Sequence, residues 1–68
     1  MVDTTKLKSV IVANEKTQEQ VARHIGITPK TFYSKMKRRV FGSDEIEQMI
    51  DYLNIDDPVS IFFAKTVT

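Results

Sequence analysis

Cysteine is absent from the 68 residues, which excludes disulfides and thiolate-bound metals and leaves side-chain packing to hold any fold together. Tryptophan is absent too, and glycine and proline occur only twice each. With so few chain breakers, regular elements should run through most of the chain, and 41% apolar with 28% charged residues describes an ordered globular sequence. No apolar run approaches the roughly 20 residues that cross a bilayer. The first twenty residues lack a signal-peptide pattern, so a cytoplasmic location is the expectation. A chain of this length is expected to form a single domain, 1–68, burying roughly 60% of the surface its unfolded form would expose.

Reactive groups are equally scarce. The one histidine, His24, lies between Val21 and Ile25 and has no second ligand at metal-site spacing. Neither a phosphate-cradling glycine loop nor a G-x-S-x-G turn is present. The sequence therefore predicts no enzymatic activity, no cofactor, no metal, no membrane association and no small-molecule ligand.

What the chain does have is charge sorted along its length. Five basic residues (Lys30, Lys35, Lys37, Arg38, Arg39) and no acid fall between Lys30 and Arg39, whereas Ser43 to Asp57 holds six acids and no Lys or Arg. Sorting of this kind creates one cationic face for an anionic partner.

Apolar periodicity and capping residues divide the chain into about five helices, near 5–14, 17–25, 29–38, 43–53 and 58–63, with a tail at 64–68. Asp3 or Thr4 can cap the first, which turns Leu7, Val10 and Ile11 inward and ends near Asn14. Thr17 and Gln20 match a capping box for the second, whose buried face is Val21, Ala22 and Ile25 and whose stop is Gly26. Thr28 and Pro29 open the third, with Phe32 and Met36 facing the core. Ser43 is the expected cap of the fourth, where Ile46, Met49, Ile50 and Leu53 give the clearest helical period in the chain. Asp57-Pro58 starts the last, whose expected inner face is Val59, Phe62 and Phe63. Val40 and Phe41 in the preceding loop, with Phe62 and Phe63, either complete the core or form a protein interface.

Within this scheme the stretch Thr17–Arg39 resembles the helix-turn-helix of lambda-repressor-like DNA-binding domains, the group of the Cro-type and XRE-like phage regulators. The resemblance rests on Thr17-Gln18-Glu19, Ala22 four residues after Gln18, Gly26 four after that, Ile27-Thr28, and apolar Phe32. It continues through a helix like Asp44–Leu53 and Asn54-Ile55, and so covers about residues 5 to 63. The best likeness is to short Cro-like or modulator-of-repression switch proteins. The chain departs from the pattern at Pro29, at Met36 and in the late glycine, Gly42.

The resemblance implies an all-α fold, a compact bundle of short helices, acting as a small transcription regulator in a temperate-phage switch. It implies that Gln18 and Thr28 meet phosphates and that Lys30, Thr31 and Ser34 enter the major groove of a double-stranded DNA operator. Charge adds Lys35, Lys37, Arg38 and Arg39 as further phosphate contacts. A homodimer reading two half-sites is a further expectation. The alternative is an antirepressor or modulator that binds a partner repressor protein through the same scaffold, and the departures at Pro29 and Met36 favour it. Either protein would work in the cytoplasm of a bacterial host.

Overall fold

The computed structural model describes residues 1–64, and its elements are α1 (Thr4–Ala13), α2 (Gln18–His24), α3 (Pro29–Arg38), α4 (Ser43–Tyr52) and α5 (Pro58–Phe62). The fold is all-α, with no strand among the described residues. The expected tail lies outside them from residue 65 onward. No helix among them is long and apolar enough to cross a membrane.

Side-chain caps decide where helices begin. Asp3 accepts from the Lys6 N–H at 3.1 Å, and Asp57 from the Ser60 N–H at 3.3 Å. At α2 both bonds of the capping box form: Gln20 N–H donates to Thr17 Oγ1 at 3.1 Å, and Thr17 N–H to Gln20 Oε1 at 2.8 Å. The start of α4 differs from expectation, because the cap is Gly42 and Ser43 is the first helical residue. The Glu45 carboxylate reaches back to the Gly42 N–H at 2.7 Å, which starts the helical turn one residue early.

Helix ends share one device. α2 closes with Gly26 N–H bonded to Arg23 C=O and Ile27 N–H to Ala22 C=O, a Schellman pair built on Gly26 at φ +82°. The same pair of bonds ends α1, α3 and α4, but there the left-handed residue is Glu15, Arg39 or Asn54. Asn14, the expected stop, is the C-cap of α1, and its side-chain amide donates to Val10 C=O and Leu53 C=O, both at 2.9 Å. That bridge ties the ends of α1 and α4 together.

Arg39, at φ 58°, carries a strain that glycine would not. Left-handed backbone disfavours a residue with a Cβ by roughly 1–2 kcal/mol, partly offset by the extra unfolded-state entropy of glycine. Arg39→Gly is therefore expected to stabilise the chain by about 0.5–1 kcal/mol, a thermal midpoint a few degrees higher. A lower midpoint by circular dichroism would mean that the Arg39 side chain makes a stabilising contact.

A single core draws on every helix: Leu7 and Ile11, Val21 and Ala22, Phe32 and Met36, Met49, and Ile61 with Phe62. Val2 joins it, because its N–H bonds to Arg39 C=O at 3.2 Å while the Asp3 N–H bonds to Ile61 C=O at 2.6 Å. The chain's first residues thus lace the end of α3 to α5. The inner face of α5 departs from expectation: Ile61 and Phe62 are buried, whereas Val59 and Phe63 are 64% and 61% exposed. Five residues are too few to establish a period, and the Asp3 bond turns the Ile61 side inward. Of the two roles open to the loop residues, Phe41 takes the core one, its ring 5.4 Å from Phe32, whereas Val40 remains 63% exposed.

Candidate functional site

α3 is amphipathic in the strict sense. Phe32 and Met36, four residues apart, are buried, and the opposite side carries Lys30, Ser34 and Lys37 at i, i+4 and i+7, all exposed. Thr28 fixes the helix start by accepting from the Thr31 N–H at 3.2 Å, and its hydroxyl donates to Thr31 Oγ1 at 2.9 Å. Thr31 is exposed but sits about a quarter-turn off the Lys30–Ser34–Lys37 row, on the flank it shares with Arg38. Of the side chains expected to read bases, two stand on one row and the third lies beside it.

The expected phosphate contacts divide. Lys37, Arg38 and Arg39 are exposed, and none is in an ion pair among the described residues. Gln18, the first residue of α2, is half-buried and lines a cleft with Lys37 and Arg39. Thr28 is exposed but already engaged as a cap.

Lys35 is turned the other way. Its ammonium donates to both oxygens of Glu45 at 2.8 and 2.7 Å, with side chains only 24% and 14% exposed. An amine held inside the α3–α4 junction is not available to a phosphate, so Lys35 drops out of the contact set. Burial works to raise the Glu45 pKa, but the hydrogen bonds from Lys35 and the Gly42 N–H, with the Lys35 charge, outweigh it and hold the carboxyl below its ordinary 4.5.

Two side chains, one on α3 and one beside it, escaped sequence reasoning. Tyr33 is 47% exposed and stands edge-on to Phe32, 6.4 Å between centroids at 79°. Its spacing from Lys37, i to i+4, was the available signal. Lys8 of α1 lines the same cleft as Gln18, a neighbourhood that only tertiary packing creates. His24 is exposed yet stacks on Tyr52 with centroids 3.8 Å apart and planes 13° from parallel. Lys16 Nζ lies 5.3 Å from the same Tyr52 ring. This stack braces α2 against α4. No group of three or more potential metal-ligating side chains occurs among the described residues.

The arrangement offers hydrogen-bond donors and positive charge on an exposed helix face, and no polar or charged residue among the described ones is fully buried. Compared with models of protein families, with curated proteins and with solved structures, the chain matches none, and the site is read from its own residues.

Proposed function

We propose that this chain is a small DNA-binding regulator of helix-turn-helix type that lays α3 in the major groove. The observation carrying this reading is the outward row Lys30–Ser34–Lys37, flanked by Arg38 and Arg39 and free of any acid along α3. Packing does not require this surplus of unpaired cations, and it matches the phosphate lattice that supplies most of a DNA-binding protein's affinity. Lys30 and Ser34 can address base edges, while Lys37, Arg38 and Arg39 neutralise phosphates. A regulator of this kind would work in the cytoplasm.

Fluorescence anisotropy with a labelled duplex across a salt series tests the reading. With Lys37, Arg38 and Arg39 each neutralising a phosphate, log K should fall against log salt with a slope of roughly −2.7. A flat dependence, or no binding at low salt, would retire the proposal.

A second reading has its own observation. Met1, Val40 and Phe63 are each more than 60% exposed, and they are drawn to one end of the bundle. The Val2 N–H bonds to the carbonyl before Val40, and the chain's terminal amine to the carbonyl after Phe63, at 3.4 Å. An apolar rim next to Arg38 and Arg39 would suit a partner repressor that this chain modulates. Size-exclusion chromatography of the protein alone, with duplex and with a candidate repressor separates the two readings, since the second requires co-elution with the repressor in the absence of DNA.

A further inference from the structure

We infer that α1 belongs to the interface: Lys8, with Gln18, Tyr33, Lys37 and Arg39, forms a seat for one backbone phosphate of the duplex, bordering the groove that α3 enters. The inference rests on the DNA-binding reading and adds to it a position on a different helix. These residues line a single open cleft of about 430 Å³ at the meeting point of α1, the start of α2 and the later half of α3. Three of them are cations drawn from two helices and the residue that ends α3, and no acid lines the cleft. None of the three is in an ion pair among the described residues, where the pairs are Arg23–Glu19 and Lys35–Glu45. Like charges gathered in one concavity repel one another, and a bound anion relieves that repulsion.

The chemistry of the lining selects the kind of anion. Small-molecule pockets bury most of their ligand against apolar walls, but here, among the described residues, Met36 is the one apolar side chain beside cations, Gln18, Tyr33 and Thr4. Flexible amines around an open cleft suit an anion delivered as part of a larger body. Lys37 belongs both to this cleft and to the outward row of α3. An α3 seated in the major groove therefore carries the cleft to the strand at the groove's edge, and a duplex phosphodiester is the anion that geometry supplies.

Lys8→Gln and Lys6→Gln make the same charge change two residues apart on α1, but Lys6 lines a different groove, beside Asn14 and Asp57. In the duplex titration Lys8→Gln is expected to reduce the salt slope by about 0.9 and weaken binding roughly tenfold near 50 mM salt, with Lys6→Gln close to wild type. A duplex series carrying one neutral methylphosphonate at a time should contain a position that weakens the wild type clearly more than the Lys8→Gln protein, whose remaining loss is the share of Lys37 and Arg39. Equal losses in the two variants would reduce Lys8 to a share of the general field and overturn the seat, as would an unaltered Lys8→Gln. Inorganic phosphate at matched ionic strength should compete no better than chloride; competition abolished by Lys8→Gln would reassign the cleft to a free anion. Failure of the wild type to bind any duplex at low salt would take down the DNA reading itself, an outcome distinct from all of these.

Discussion

Phe32→Ala is expected to leave the chain largely unfolded near room temperature and to abolish the proposed DNA binding with it. Phe32 is fully buried, between the edge of Tyr33 and the tilted ring of Phe41, and it anchors α3 to the core shared by all the helices. Truncating a buried phenylalanine to alanine typically removes about 3–5 kcal/mol, because transfer energy is lost and a cavity remains. A chain of 68 residues has in total roughly 3–10 kcal/mol to lose. Urea titration followed by circular dichroism should give no native baseline for Phe32→Ala, whereas Phe32→Leu should retain one and lose about 1.5 kcal/mol or less. A cooperative Phe32→Ala transition near the wild-type midpoint would mean that the core does not depend on this ring.

What the sequence made legible was whatever depends on near neighbours. Thr17 with Gln20, Gly26, Thr28 with Pro29, and Asp57 with Pro58 act within three residues of themselves, and each marks its helix boundary where expected. The buried faces of α1 to α4 follow from the helical period, which needs about two turns to declare itself. α5 has little more than one turn, and its inner face was misassigned for that reason: Ile61 displaced Val59 and Phe63. The ends of α1, α3 and α4 also fall within a residue of expectation, although the left-handed residues that close them, Glu15, Arg39 and Asn54, are not the glycine that usually announces such an end.

The candidate site was legible along α3 and obscure across it. Lys30, Ser34 and Lys37 share a face that spacing alone defines, whereas the positions of Lys8 and Lys35 depend on which helix packs beside them. Lys8 is one of two exposed α1 cations, with Lys6, until α2 and α3 close a cleft around it. Lys35 reads as one more member of a basic run, and its partner Glu45 as one more member of an acidic one. Neither run reveals that these two charges meet. The loop from Arg39 to Gly42 brings the start of α4 against α3, and so the sorted charges of the sequence touch at a single half-buried pair.

That pair yields the second large expected effect, one in which stability and the proposed DNA affinity move in opposite directions. Glu45 accepts from the Gly42 N–H as well as from Lys35, so Glu45→Ala removes a helix cap and an ion pair together and leaves Lys35 half-buried without a partner. Because Lys35 is 24% exposed and can swing out to solvent, the expected loss is about 1–3 kcal/mol, below that of a fully enclosed pair. The released ammonium then joins the outer face of α3, and the salt slope should steepen by about 0.9. Glu45→Gln separates the two roles, since an amide oxygen can still cap Gly42 while the charge that holds Lys35 is gone. It should lose less stability than Glu45→Ala and gain the same slope. The Glu45 pKa is lowered on folding, so its contribution is complete above about pH 4.5 and is lost as pH falls through the lower folded value. Thermal midpoints of wild type and Glu45→Gln should therefore differ by a constant amount near neutrality and converge below about pH 4.5. A constant gap down to strong acid, with no change in salt slope, would show that Lys35 stays in place without Glu45 and that the pair does not limit the charge α3 presents.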